Sequence, residues 1–225
     1  MWVRVPRYLY FSGPDGLQAG PLLQGLAVTL KISSVSLVMS LLIGLLAALL
    51  RLSQSPVARW LAFIYLELIR NTPLLIQIFI IYFVLAPILD MERFTAAVLA
   101  LSLFEGAYAS EIIRAGILAV AKGQWEAAAS LGMTRAQSYW NIILPQAIRQ
   151  MAPPLTSQGI SLVKDSALVS TIAIYDLTMQ GQQIVAETFL TFEIWFTIAA
   201  IYLFLTLSLS ALVKLLEWRL ADYQI

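Results

Sequence analysis

Two long apolar runs constrain the fold of this chain more than any other feature. Residues 32–50 are nineteen consecutive residues without a charge, and residues 194–213 form a second such run. A helix rises 1.5 Å per residue, so about 20 apolar residues cross the hydrocarbon core of a bilayer. The composition agrees, with 60% hydrophobic and 12% charged residues and a mean hydropathy of +0.82. These features predict an all-α integral membrane protein.

The composition also excludes several classes of function. The 225-residue sequence has no cysteine and no histidine, which excludes disulfides, thiol nucleophiles, imidazole bases and most transition-metal sites. It contains no G-x-x-x-x-G-K-[ST] motif, so we expect no P-loop of its own. A net charge of +1 gives no indication of nucleic-acid binding. The first sixteen residues lack the apolar core of a signal peptide.

Apolar runs and turn residues divide the chain into an extramembrane segment (residues 1–20), one transmembrane domain (residues 21–220) and a C-terminal tail (residues 221–225). Five membrane-spanning helices are expected, at about residues 22–50, 58–85, 94–118, 146–163 and 194–216. The fourth contains Pro153-Pro154, which we expect to bend or end a helical turn. A polar loop over residues 119–145 precedes it.

The second span is less regular than the others. It carries Glu67, Arg70 and Pro73, and the first two are spaced to meet on one helix face. Pro73 removes a backbone hydrogen bond and clashes with the preceding turn, so we expect a kink here. The segment is interpreted as one bent helix over residues 58–85. The alternative is an interfacial helix over residues 58–70 followed by a shorter span.

Residues 122–145, which we call the elbow, form the longest segment between apolar runs in which polar residues are frequent. A first helix is predicted over about residues 124–131, with Glu126 in its first turn and Gly132 as a left-handed C-cap. A second helix is predicted over residues 134–144, opened by the T-x-x-Q pattern of a capping box and broken at the proline that follows. Apolar side chains in the elbow indicate a partner surface or, alternatively, packing on the chain's own helices.

The elbow resembles the EAA signature of the membrane subunits of bacterial ABC importers. The matching positions are Glu126-Ala127-Ala128, Gly132, Ile142, Leu144 and Pro145. Three further stretches look like the polar amino acid permease branch of that family: RNTPLLIQ at 70–77, AYASEIIR at 107–114 and LVKDSAL at 162–168. The resemblance covers roughly residues 21–220.

This resemblance implies a fold, a set of partners and a coupling site. The fold would be the five-transmembrane-helix bundle of a type I ABC importer permease, with the N-terminus outside and the elbow and C-terminus in the cytoplasm. The elbow would dock on an ATPase subunit through Gly123, Glu126, Ala127, Ala128, Gly132 and Pro145. The implied partners are two ABC ATPase subunits that use ATP and Mg, a second copy or a paralogous permease chain, and an extracytoplasmic amino acid binding protein. The chain itself would hold no cofactor and catalyse no reaction.

Polar groups at membrane depth are the candidates for a substrate pathway, because buried charges usually face a bundle interior or an aqueous cavity. Glu111 and Arg114 are spaced to form an ion pair, whereas Glu105 has no partner within one helical turn. For Glu111 we expect either this structural pair or binding of a substrate ammonium. The candidate pathway residues are Asn71, Thr72, Gln77, Glu105, Glu111, Lys164, Asp165 and Ser166.

The sequence therefore predicts a multi-pass protein of the bacterial cytoplasmic membrane that serves an ATP-driven importer of polar amino acids. Two other functions stay open at this point. An ion-coupled secondary transporter would also use buried carboxylates, as proton sites. A membrane scaffold subunit that transports nothing would leave those buried charges unexplained.

Overall fold

The computed structural model describes residues 2–13 and 16–221. Four of the five residues of the predicted C-terminal tail, 222–225, lie outside the described residues. The α-helices are Pro6–Leu9 (α1), Pro21–Leu52 (α2), Pro56–Arg70 (α3), Leu74–Phe79 (α4), Ala86–Leu89 (α5), Arg93–Leu118 (α6), Lys122–Ser130 (α7), Arg135–Ser138 (α8), Leu144–Asp165 (α9), Leu177–Thr188 (α10) and Thr191–Ala221 (α11). Ile80–Leu85 and Tyr139–Ile143 are π-helical, and Trp2–Arg4 and Ser166–Ile172 are 3₁₀-helical.

The N-terminal segment, for which the sequence predicted no secondary structure, contains a β-hairpin. Strands β1 (Tyr10–Gly13) and β2 (Gly16–Ala19) pair antiparallel, with Tyr10 opposite Ala19. This small hairpin is the one departure from an all-helical chain among the described residues. It directly precedes α2, which opens with Pro21 at its first position, where a missing N–H costs nothing.

Within the described part of the chain, three helices are long and apolar enough to cross a membrane: α2, α6 and α11. They coincide with the first, third and last predicted spans. The segments Pro56–Arg70 and Leu74–Leu89 qualify only as a pair, bent by 105° at the break between them. The predicted kink at Pro73 is therefore present, and both interpretations of the segment, one bent span or an interfacial helix followed by a shorter span, stay predictions.

Helix α9 covers the fourth predicted span, but it is more polar than the other three. It is 22 residues long, with Pro153 and Pro154 inside it. Of the two outcomes expected for these prolines, a bend or the end of a helical turn, the structure excludes the end of the helix, which continues through them. The Thr156 hydroxyl donates to the carbonyls of Ala152 (3.0 Å) and Pro153 (2.7 Å) just after the proline pair. The total of five spans remains a prediction.

The chain forms two compact units. The first comprises Met1–Leu37, Leu74–Leu101 and Ile160–Ile225. Its core contains Leu22, Leu177, Ile184, Leu190, Ile194 and Ile198. A carboxyl group lies inside this unit, because Asp176 is fully buried and caps α10 by accepting the Met179 N–H at 2.8 Å. Burial raises the pKa of Asp176 to about 6.

The second unit comprises Val38–Pro73 and Ser102–Gly159. Its core joins residues of α2, α6, the connection after α6, the π-helical turn before α9, and α9: Ala48, Ile113, Ile117, Val120, Ile143, Ala147 and Met151. Trp125 and Tyr139 of the elbow pack against this core from its edge. The elbow and four of the eight predicted pathway residues lie in this unit.

Candidate functional site

One carboxylate in the second unit, that of Glu111, is shared by three arginines. Arg51 Nη1 donates to Glu111 Oε1, and Arg70 Nη1 lies 3.4 Å from the same oxygen. Arg114 Nη2 donates to Oε2 at 2.9 Å. Three positive charges and one negative charge leave this cluster with a net charge of +2. A cluster of that sign does not favour a substrate ammonium, and Glu111 instead joins the ends of α2 and α3 to α6.

The arginine cluster overturns one expected pairing. Glu67 and Arg70 were expected to meet on one helix face, but Arg70 instead reaches Glu111 and lies over the Tyr108 ring, 5.7 Å from its centroid. The Glu67 carboxylate accepts from the Asn71 amide at 2.8 Å. Contacts between residues distant in sequence thus replace the neighbour contact that helical spacing predicted.

Helical spacing offered Glu105 no partner within one turn, and the structure supplies one from another helix. Glu105 is 1% exposed, and Gln158 Nε2 of α9 donates to its Oε2. The partner lies 53 residues away along the chain, so helical spacing, which relates residues three or four apart, does not predict this contact. The pair places an amide donor and a carboxylate at one buried point in the second unit.

Asn71 and Thr72 cap the end of α3 at the break before Pro73. The Asn71 amide donates to the Glu67 carbonyl at 2.8 Å, and the Thr72 hydroxyl donates to the Leu68 carbonyl at 2.8 Å. Both side chains were expected to be available to a substrate. In this conformation they donate to carbonyls in the last turn of α3, where the helix ends.

The other four predicted pathway residues lie in the first unit. Gln77 is 6% exposed, in α4. Lys164 and Asp165 end α9, and no salt bridge joins them or involves either of them among the described residues. Ser166 is buried, and its hydroxyl donates to the Val163 carbonyl at 2.8 Å.

Gly132 ends the first elbow helix in the left-handed conformation that the sequence predicted. Its φ is +73°, and its N–H donates to the Ala129 carbonyl at 3.0 Å. The next N–H, that of Met133, donates to the Ala128 carbonyl at 3.1 Å. These two bonds form a Schellman motif, which satisfies carbonyls at the helix end. A Cβ at this position would meet nothing within 4 Å, so only the backbone conformation requires glycine here.

The second half of the elbow begins as predicted and ends differently. Thr134 and Gln137 form the capping box: Thr134 N–H donates to Gln137 Oε1 at 2.9 Å, and Gln137 N–H donates to Thr134 Oγ1 at 3.3 Å. The predicted helix to Leu144 does not stop there. It passes through the π-helical turn Tyr139–Ile143 directly into α9, whose second residue is Pro145.

The first elbow helix starts earlier than predicted, which changes the position of Glu126. Helix α7 begins at Lys122, so Glu126 is its fifth residue and no acidic residue lies in the first turn. Glu126 and Ala127 are exposed, whereas Ala128 is fully buried. Gly123 lies within the helix with open space around it. The stabilising interaction of Glu126 with the helix N-terminus is therefore absent.

The elbow is attached to the second unit by aromatic packing. The Trp125 and Tyr139 rings meet edge to face, with centroids 5.8 Å apart, against the core that holds Ile113 and Met151. Leu131, by contrast, is 78% exposed at the tip of the elbow. The internal packing that the sequence left as one alternative is thus present at Trp125 and Tyr139, and the partner surface stays a prediction for the exposed tip.

Three contributors to these sites were not predicted: Arg51, Arg70 as a partner of Glu111, and Gln158. Each is a polar residue at a helix end or inside a predicted span, which is the signal that singled out Glu105 and Glu111. Sequence spacing assigns no partner to such a residue when that partner lies on another helix.

Comparison with known proteins identifies the type of membrane protein. Residues 40–222 match the family described as the inner membrane component of binding-protein-dependent transport systems. The chain belongs to this family. It is 41% identical over 202 residues to the glutamine transport system permease protein GlnP of Escherichia coli (strain K12), across 88% of this chain and 92% of that protein. It is 40% identical over 201 residues to the L-cystine transport system permease protein TcyB of Bacillus subtilis (strain 168), across 88% and 86%.

Solved structures agree with this assignment. The crystal structure of an amino acid ABC transporter with histidines matches with a TM-score of 0.83 at 43% identity, covering 88% of this chain and 94% of that chain. An inward-facing form of the MetNI methionine ABC transporter shares the fold, with a TM-score of 0.68 at 20% identity over 86% and 94% of the two chains.

Family membership confirms that the chain is a multi-pass inner-membrane permease component with a helical membrane bundle. It also confirms the resemblance to the polar amino acid branch of the ABC permeases. A permease of this kind is distinct from the ATPase of its transporter and implies ATPase and binding-protein partners. Neither a secondary transporter nor a scaffold subunit is favoured.

Proposed function

We propose that this chain forms the translocation pathway of an ATP-driven importer of polar amino acids. The elbow would transmit the conformational change of the ATPase subunits to the membrane helices. Two copies, or one copy and a paralogue, would pair in the membrane, and two ATPase subunits would dock at the elbows with ATP and Mg. A binding protein on the outer side would deliver the amino acid. The relatives named above transport glutamine and L-cystine, which supports this class of substrate.

The observation that carries the coupling proposal is the construction of the elbow. Its first helix ends in the Schellman motif at Gly132, its second opens with a capping box at Thr134, and Trp125 packs on the core shared by α6 and α9. Packed interiors resist compression and transmit displacement. A push on the exposed tip at Leu131 would therefore move the attached helices as one body.

The test of docking uses the exposed tip and a matched position outside the elbow. Leu131→Gln should weaken co-purification of the ATPase subunit and lower amino acid uptake with little effect on folding, because Leu131 is 78% exposed. Val57→Gln is the control, since Val57 is 66% exposed on α3. Equal losses in both variants, or no loss in Leu131→Gln, would contradict the proposed docking surface. Uptake that resists vanadate but fails without a proton gradient would overturn the ATP-driven mechanism itself.

Helix α9 supports a pathway in the second unit, because one of its faces is polar and exposed. The polar side chains of Gln150 and Ser157 lie seven residues apart on that face, with the exposed Pro153 between them, and Ser157 is next to Gln158, which bonds Glu105. We assign this face and the Glu105–Gln158 pair to the pathway. Asn71, Thr72, Gln77, Lys164, Asp165 and Ser166 stay in the proposed set, and Glu111 holds the arginine cluster rather than a substrate ammonium.

Competition between substrates tests the assignment of Glu105. Glu105→Gln should change the ranking of acidic, neutral and basic amino acids as competitors for uptake, because a buried carboxyl discriminates among side chains by charge. Gln158→Ala should change the ranking in the same direction, since it removes the donor that orients the carboxyl. An unchanged ranking in Glu105→Gln would make Glu105 a structural residue of the bundle.

A further inference from the structure

A concave apolar groove of about 710 Å³ lies in the second unit, apart from the polar face of α9. One wall is formed by residues of α2 at four-residue spacing, Leu41, Leu45 and Leu49. The facing wall comes from the π-helical turn and α9, with Trp140 and Ile148. All five side chains are between 37% and 69% exposed, so nothing in the described chain fills the groove.

The length of the groove corresponds to one leaflet of a bilayer. From Leu41 to Leu49 the α2 wall rises about 12 Å, and from Leu144 to Leu155 the α9 wall rises about 16 Å, at 1.5 Å per residue. Half of the hydrocarbon core of a typical bilayer is about 15 Å thick. The groove is therefore matched to an acyl chain, whose length is that of one leaflet.

The charge of the groove is confined to one end. Arg135 is the only charged residue among those that line it, and it belongs to the elbow, beyond the last apolar turn. Arg135 is exposed and makes no salt bridge within the described part of the chain. Along the chain Trp140 lies between Arg135 and Leu144, another residue that lines the groove, and tryptophan is enriched at the level of lipid headgroups.

We propose that this groove is a binding site for one anionic phospholipid, with an acyl chain along the leucines and the headgroup phosphate at Arg135. The leaflet is the cytoplasmic one if the elbow is cytoplasmic, as the proposed function requires. A second copy of the chain is a poorer occupant. A symmetric contact through this face would bring two Arg135 side chains to one interface, and the groove supplies no acidic residue to pair them.

Quenching of Trp140 fluorescence by brominated phospholipids tests the site. The full-length chain, with the subunits that accompany it, is reconstituted in bilayers with increasing mole fractions of brominated phosphatidylglycerol or brominated phosphatidylcholine. The signal of Trp140 is the difference between the wild type and Trp140→Phe. A single basic residue near a membrane surface favours an anionic lipid about fivefold, so the anionic lipid should quench at about one fifth of the mole fraction.

Two variants distinguish a specific binding site for the anionic lipid from non-specific contact with bilayer lipids. Arg135→Gln should abolish the preference for the anionic lipid and leave quenching by phosphatidylcholine unchanged. Arg59→Gln, which removes an exposed charge that does not line the groove, should retain the preference. Equal quenching by both lipids in the wild type, or a preference that survives Arg135→Gln, would overturn the proposal. Failure of either lipid to quench Trp140 would also overturn it, since another protein would then cover the groove.

Discussion

The geometry of the arginine cluster around Glu111 predicts how four substitutions rank by the stability that each one removes. Glu111 accepts from Arg51 and Arg114 and lies 3.4 Å from Arg70, so Glu111→Gln removes the negative charge shared by all three. Each single arginine variant leaves Glu111 with two cationic neighbours. The glutamate substitution should therefore destabilise the protein more than any one of the arginine substitutions.

The magnitudes follow from burial and geometry. Removing one partner of a buried ion pair costs about 3–5 kcal/mol. The Glu111 side chain is 25% exposed, which reduces this loss, so about 3 kcal/mol is expected for Glu111→Gln. Arg70 is 44% exposed and makes the longest contact, so Arg70→Gln should cost less than about 1 kcal/mol. Arg51→Gln and Arg114→Gln should fall between these values.

Reversible unfolding by sodium dodecyl sulfate in mixed micelles, followed by tryptophan fluorescence, measures these free energies. A double-mutant cycle adds a sharper test. In the Glu111→Gln background, Arg114→Gln should cost little or stabilise the protein, because it relieves repulsion among three cations. The reasoning is refuted if Arg70→Gln costs as much as Glu111→Gln. It is equally refuted if the losses from Glu111→Gln and Arg114→Gln simply add.

Three further predictions concern the elbow, the buried carboxyl and the topology. Gly132→Ala should lower uptake, because a left-handed alanine costs about 1–2 kcal/mol; Gly123→Ala, in equally open space within a helix, should not, and equal activities would contradict the backbone argument. Asp176 has a pKa raised from 3.8 to about 6, so its contribution to folding stability falls as pH rises from about 4 to above 6. Asp176→Asn should then stabilise the protein by up to about 3 kcal/mol at pH 8 and by almost nothing at pH 4, as measured by thermal unfolding; a gain independent of pH would refute it. In the cysteine-free chain, Ser130→Cys should react with an impermeant thiol reagent only after the cells are permeabilised, whereas Glu187→Cys should react in intact cells; the reverse pattern would invert the orientation.

The parts of the fold that the sequence predicted correctly depend on local signals. Nineteen uncharged residues predict the span in α2, and Gly132 and the capping box predict the two helix boundaries in the elbow, because each signal acts within one turn. The start of α7 was misplaced for the same reason. Its N-cap, Ala121, offers no side-chain acceptor, so no residue marks the boundary and Glu126 was assigned to the first turn.

The site was predicted less well because its contacts are tertiary. Arg51 meets Glu111 across 60 residues of sequence, and Gln158 meets Glu105 across 53. Helical spacing selects partners three or four residues apart, so it found Arg114 alone. The charged residues themselves were identifiable, because a charge inside an apolar run is costly and therefore informative. Which helix supplies the compensating group depends on how the helices pack, and one sequence read by itself does not contain that information.

The packing of the second unit connects the elbow to the arginine cluster physically. Trp125 lies against the core formed in part by Ile113 and Ile117, and these residues flank Arg114 on α6. Glu111, less than one turn further along the same helix, holds Arg51 and Arg70. Since packed elements shift between discrete arrangements rather than deform continuously, a displaced elbow must either carry this segment of α6 with it or break the Trp125 contact. If movement of the ATPase subunits displaces the elbow, the arginine cluster is therefore the contact through which that displacement is passed to the ends of α2 and α3.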